Sequence, residues 1–196
     1  MAQFGLKAGL NFANVTKASS INNSSKTGFH AGILMGSASA KLFGFRTELT
    51  YSKQGYDYKS GTNTGNVNLD YIMSSNLTCI NITKYFQLQF GAQMAYLLNA
   101  KVDSNTTSTG NAQVDKMMDL YNRFDYGFAG GIEIHPVSGL LIGARANISL
   151  GSLYKDAQSG QMPSFSSIDV KNNVFQIFVG WRFGKQPSSK KKDKEE

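Results

Sequence analysis

Charged side chains that recur at every second position inside apolar tracts are the residues of this sequence that could do chemistry. Seven residues form this set: Lys7, Arg46, Glu48, Asp125, Glu133, Arg145 and Arg182. If such a face is enclosed, its charges must be paired and hydrogen-bonded, because an isolated buried charge is very costly. We therefore predict a network of ion pairs that fills an interior and fixes its shape. A narrow ion path is the alternative.

Catalytic and metal-binding residues are sparse. The two histidines, His30 and His135, lie in no metal-ligand spacing, and the sequence contains neither a GxSxG elbow nor an HExxH helix. His30 is the one catalytic candidate, because we expect it at the outer end of its strand, where a polar rim residue is the simpler interpretation. His135 precedes Pro136 and is typical of a turn. We expect no enzyme, no cofactor and no metal, and we interpret Cys79 as a small apolar residue.

The elements that would position the charges are β-strands, since apolar and polar residues alternate through most of the chain. Most tracts reach the 9–11 residues that a transmembrane strand needs, more than the usual strand of about five or six. Eight tracts are predicted as strands: 4–12, 27–38, 45–52, 67–83, 86–96, 124–134, 142–150 and 175–183. The least regular is 67–83, in which Leu69 and Cys79 share one parity and Ile80 takes the other. We expect a β-bulge near Cys79 to reconcile them.

The polar face favours the inside of a narrow barrel over the water-facing side of a sandwich. It combines long charged and amide side chains with many glycines, which weaken a solvent-facing strand but make room inside a closed one. Aromatic residues lie towards the strand ends on the apolar face, where outer-membrane barrels carry interfacial girdles. The predicted girdle contains Phe4, Phe12, Phe45, Tyr51, Phe86, Tyr96, Phe124, Trp181 and Phe183. The fold class predicted is an all-β, eight-stranded antiparallel up-and-down transmembrane β-barrel over residues 1–183.

Composition and connections agree with this fold. Only 17% of the 196 residues are charged, whereas 20 are Gly and one is Cys. Long Ser/Thr/Asn/Gly-rich segments at 16–26, 54–66, 103–120 and 155–169 alternate with short joints, as in barrels with periplasmic turns and long extracellular loops. Within the third segment, the apolar spacing predicts a short amphipathic helix over 111–122.

The formal net charge of +7 does not indicate nucleic-acid binding. Several of the lysines cluster in residues 184–196, where acidic residues partly offset them, and the other cations are scattered. We expect this segment to be a charged, disordered tail on the periplasmic side.

Four segments resemble the outer-membrane β-barrel domain common in Bacteroidetes, often called PorT-like. They are FGLKAGLN at 4–11, FRTELTYSKQG at 45–55, GAQMAYLL at 91–98 and VGWRF at 179–183. The resemblance spans residues 3–183 and implies an eight-stranded barrel in the bacterial outer membrane, without supplying a site. We expect that a leader was removed before Ala2 and that Met1 was added.

The resulting hypothesis is a monomeric barrel with a side-chain-filled lumen and four extracellular loops, in a structural or interaction role. Its partners would be the lipid bilayer of the outer membrane and an unidentified partner of the loops. A small-solute or ion pore is one alternative, and a soluble lipocalin-like barrel that binds a ligand inside is another.

Overall fold

The computed structural model describes residues 2–16, 22–37, 42–60, 63–104, 121–154 and 170–184. They form one closed barrel in which each strand pairs antiparallel with its sequence neighbours and the last strand pairs with the first. The strands are β1 (Ala2–Thr16), β2 (Asn22–Ser37), β3 (Phe43–Ser60), β4 (Asn63–Asn81), β5 (Phe86–Ser104), β6 (Phe124–Ile134), β7 (Leu140–Ser149) and β8 (Lys171–Phe183). The predicted fold class is confirmed.

The two ends of the barrel differ. At one, which we call the turn end, residues 82–85 join β4 to β5 and residues 135–139 join β6 to β7. At the opposite, loop end, β3, β4 and β5 stay paired with one another well past the point at which β6 leaves the ladder, at Tyr96 of β5. Strands β3, β4 and β5 have 18 or 19 residues and are about 60 Å long. Their number of residues is nearly twice the 9–11 required to cross a bilayer, so these strands project beyond the membrane-spanning part.

The outer surface is apolar because alternate side chains point away from the lumen. Seven of the nine predicted girdle residues are at least 38% exposed, whereas Phe12 and Phe86 are half-buried on the same outward parity. Phe4 stacks on Phe183 at 6.3 Å between ring centroids, and Phe12 lies 6.5 Å from Phe175. Such a surface suits acyl chains and would be a large unpaired apolar patch in water.

Strand β4 departs from this pattern. Most of its apolar residues point into the lumen: Val67, Leu69, Tyr71, Met73, Leu77 and Cys79 are all buried, whereas Ile72 is outward and 39% exposed. The bulge predicted near Cys79 is wrong. Pairing is continuous there, and the irregularity lies between Asp70 and Tyr71, at the loop end of the β4–β5 ladder. Ile80 takes the opposite parity because it faces outward, not because the strand is kinked.

Several sequence predictions lie outside the described residues. They are the tail at 185–196, most of the helix predicted over 111–122 and most of the connections predicted at 103–120 and 155–169. The long connection predicted at 54–66 is wrong, because β3 continues to Ser60 and β4 begins at Asn63. Strand β2 likewise begins at Asn22, within the connection predicted at 16–26. Tyr121, which is described, forms an antiparallel bridge with Tyr154. No helix among the described residues is long and apolar enough to cross a membrane.

Candidate functional site

Glu48 is the centre of the charged cluster in the lumen. It comes from β3 and accepts hydrogen bonds from Lys7 Nζ of β1 at 2.8 Å and from the two terminal guanidinium nitrogens of Arg145 of β7, at 2.7 and 3.0 Å. Arg46 Nη1 lies 3.7 Å from Glu48 Oε1. The bidentate contact with Arg145 has the geometry of a strong ion pair. One carboxylate therefore ties three strands together across the barrel.

Glu133, on β6, is the second acceptor. Both of its oxygens accept from Arg46, at 2.6 and 3.0 Å, and Oε2 also accepts from Gln89 Nε2 at 2.8 Å. His135 Nε2 lies 2.6 Å from Oε1, so this histidine contacts the network although the sequence indicated only a turn residue. Arg46 donates a further bond to Gln87. Glu133 is thus saturated with donors.

Gln89 and Phe178 connect the two halves of the network. Gln89 Oε1 accepts from Arg145 while its amide nitrogen donates to Glu133. The Phe178 ring of β8 lies under Lys7 Nζ, 4.0 Å from the ring centroid, and Arg145 lies 5.2 Å from the same centroid. Both contacts are cation–π interactions. Gly143 makes room for this ring, because a Cβ there would stand 2.5 Å from Phe178 Cζ.

These contacts lie in the turn-end half of the lumen. The five charged residues are at most 4% exposed, and every charge has at least one opposite charge within 4 Å. Leu34, Leu141 and Phe178 pack as an apolar cluster in the same half, and Leu77, Cys79 and Ala129 form another.

The structure brings five of the seven predicted network residues together and leaves two apart. Asp125 lies near the loop end, where it accepts from Ser149 Oγ at 2.5 Å. Arg182 lies near the turn end, partly exposed, and forms no ion pair within the described part of the chain. Alternation correctly assigns both to the inward parity but carries no information about height along the barrel.

A neutral hydrogen-bonded layer follows towards the loop end, centred on Asn11. Its amide donates to Ser52 Oγ at 2.9 Å, and its oxygen accepts from Gln176 at 2.9 Å and contacts His30 Nδ1 at 2.8 Å. His30 is 1% exposed in the middle of β2. The prediction that it lies at the rim is therefore wrong, because β2 begins at Asn22 rather than near Thr27. Among the described residues, its side-chain hydrogen-bond partner is the amide of Asn11 rather than a nucleophile.

The loop-end half of the interior is an apolar core that the sequence analysis missed. It includes Leu69, Leu97 and four tyrosines, Tyr56, Tyr71, Tyr121 and Tyr154. Tyr56 Oη lies 2.5 Å from Tyr154 Oη, and the rings of Tyr121 and Tyr154 are 5.0 Å apart. Burial, reinforced by the two neighbouring phenols, raises the pKa of Tyr121 well above its ordinary range. This core occupies the lumen at the loop end.

No group of three or more metal-ligating side chains occurs among the residues that the structure covers. The described lumen thus offers ion pairing, hydrogen bonding and apolar packing. Together with the apolar exterior, a closed ladder of eight strands around enclosed ion pairs defines a transmembrane β-barrel, because closure satisfies every backbone hydrogen bond within lipid.

Comparison with known proteins places this barrel in a family. Residues 1–155 match the family described as outer membrane protein beta-barrel domain, and the chain belongs to that family. It is a barrel of the bacterial outer membrane. No curated protein matches the sequence significantly.

Two solved structures have the same fold. The attachment invasion locus protein Ail of Yersinia pestis is 16% identical, with 92% of this chain and 98% of that chain covered and a TM-score of 0.50. Neisserial surface protein A is also 16% identical, with 93% and 99% covered and a TM-score of 0.51. At this identity the likeness concerns the fold alone.

Proposed function

We propose that the protein is a non-conducting, non-catalytic outer-membrane scaffold that presents its loop end for interaction. The observation that carries this proposal is the paired charge network of the turn-end lumen, in which Glu48 and Glu133 hold three cations from β1, β3 and β7. Because each charged group of this network already has an oppositely charged partner, few groups are free to bind an ion that passes through. Its favoured role is to lock the cross-section of the barrel.

The loop end is the part available for interaction. Here β3, β4 and β5 project beyond the membrane-spanning length and enclose the tyrosine-containing core. We infer that this end faces the exterior and that the turn end, where β1 begins and β8 ends, faces the periplasm after removal of a leader. The arrangement follows the usual asymmetry of short periplasmic turns and long outer loops. We also propose that the protein belongs to the PorT-like type and that its loops bind a partner.

Planar-bilayer conductance tests the closed lumen. The wild-type barrel should give no steady current. The double variant Glu48→Ala with Arg145→Ala, which removes one anion and one cation from the charge network of the lumen, should give stepwise current. Phe128→Ala, which changes an outward side chain, is the matched control and should stay silent. Steady current through the wild-type protein would overturn the closed-lumen proposal in favour of a pore.

Labelling of intact cells tests the orientation. In a Cys79→Ala background, a single cysteine is placed at the loop end by Lys59→Cys or at the turn end by Thr83→Cys, both exposed positions. A membrane-impermeant maleimide should label the first in intact cells and the second only after permeabilisation. The reverse pattern would refute the assignment of the loop end to the exterior.

A further inference from the structure

One strip of the lipid-facing surface is polar. On β4 the outward residues are Ser74, Asn76 and Thr78, and the adjacent outward residue of β3 is Thr47. The corresponding outward positions of the other strands carry apolar residues or glycine, among them Leu6 on β1, Ile33 on β2 and Val179 on β8. We call Thr47, Ser74, Asn76 and Thr78 the polar strip.

The polar strip lies at the depth of the hydrocarbon. Asn76 pairs with Thr47 across the β3–β4 ladder, and Thr47 lies between Phe45 and Tyr51, outward aromatic residues at opposite ends of the apolar surface of β3. On the other side Asn76 pairs with Ala92 of β5. Aromatic belts mark the two membrane interfaces of such barrels. The strip is therefore in contact with acyl chains if the barrel is alone.

The side chain of Asn76 is only half satisfied in that position. Thr47 Oγ1 donates to Asn76 Oδ1 at 2.9 Å. The amide nitrogen of Asn76, with two N–H donors, makes no hydrogen bond to any described residue. Acyl chains offer no acceptor, and unsatisfied polar groups in hydrocarbon are costly. A partner that supplies acceptors at this depth would remove the cost.

We propose that the polar strip is the contact surface of a homodimer within the membrane. An amide and hydroxyls are donors and acceptors at once, so a two-fold axis parallel to the membrane normal gives each Asn76 nitrogen an oxygen of the other copy. A second copy supplies this complementarity without any other protein, and two-fold pairing is the commonest symmetric assembly. The small side chains of Ser74 and Ala92 permit close approach, as in other membrane interfaces.

The geometry of barrels makes this dimer local and weak. Strands tilt by about 35–45° from the barrel axis, so two copies related by this axis cross rather than run alongside one another. Contact is centred on Asn76 and fades towards Tyr51 and Ile80 of the same face. The expected assembly depends on protein density in the membrane, and it replaces the monomer predicted from sequence. It requires only membrane embedding and is independent of whether the lumen conducts.

Disulfide cross-linking in lipid vesicles tests the proposal. In a Cys79→Ala background, Ser74→Cys introduces a near-isosteric thiol and leaves Thr47 and Asn76 unchanged. Val179→Cys, outward on β8 and 50% exposed, is the matched control on another face. After mild oxidation of the purified, refolded barrels, the Ser74→Cys protein should give a covalent dimer on non-reducing gels well above the control. Equal yields from the two variants would overturn the proposal.

A second variant separates the hydrogen bond from simple proximity. Adding Asn76→Leu to the Ser74→Cys protein should weaken dimerisation about tenfold, as expected for two symmetric hydrogen bonds at the average strength measured in membranes. The barrel should remain folded by heat-modifiable gel migration, because leucine suits a lipid-facing site. Undiminished cross-linking in this variant would refute the role of Asn76. Cross-linking in native membranes to a different protein alone would likewise refute the homodimer.

Discussion

Replacing Glu48 by alanine tests how much the barrel depends on its central carboxylate. Glu48 is 1% exposed and interacts with Lys7, Arg145 and Arg46. The substitution leaves Lys7 and Arg145 buried without an opposite charge in contact, while Arg46 keeps Glu133. Removing one partner from a buried ion pair typically costs about 3–5 kcal/mol. For a chain of this size, that loss corresponds to a fall in melting temperature of about 6–20 °C.

The measurement is thermal unfolding in detergent, followed by circular dichroism and by the heat-modifiable shift on gels. Leu49→Ala, the adjacent outward residue, is the control and should melt close to wild type because acyl chains or detergent fill the space. Glu48→Gln keeps acceptor capacity but removes the charge, so its melting temperature should fall between those of the wild type and Glu48→Ala. If Glu48→Ala melts within about 2 °C of wild type, Lys7 and Arg145 are solvated in the variant and the charge network does not stabilise the barrel.

Two further predictions concern packing and titration. Gly143→Ala should lower stability by about 1–3 kcal/mol in urea unfolding from lipid vesicles, because the added Cβ displaces the Phe178 ring; an unchanged midpoint would contradict this. The raised pKa of Tyr121 means that this phenol ionises in the unfolded chain, near the ordinary value of 10, before it does so in the folded barrel. Stability should therefore fall as pH rises above about 10, and less steeply for Tyr121→Phe; identical pH profiles of melting temperature would refute the assignment.

Alternation predicted the strands because a period of two is the direct consequence of a strand with two different faces. It assigned Lys7 and Arg145 to the interior, as the structure has them. It could not reveal that Asp125 and Arg182 stand at heights where the network is out of reach, because height depends on the register of the closed ladder. The contributions of Gln89 and Phe178 were hidden for the same reason.

The loop-end core and β4 were missed for a different reason. An apolar inward face looks the same as an apolar outward face when the sequence is read without its partners. Tyr56 lies in the segment 54–66, which the sequence predicted as a connection, whereas β3 continues through it to Ser60. Tyr121 and Tyr154 lie outside the strands, so alternation could not assign them to the interior.

The reversed faces of β4 bear on how the barrel is assembled. A slip of one residue would turn Leu69, Tyr71 and Leu77 towards the acyl chains and Asn76 towards the lumen. Partitioning of β4 into lipid alone favours that slipped form. What opposes it is packing from both sides of β4 in the chain: Val15 and Tyr56 of the loop-end core precede it, and Leu97 and Ala129 follow it. The orientation of β4 is therefore fixed by tertiary packing within the closed barrel rather than by the preference of the isolated strand for lipid.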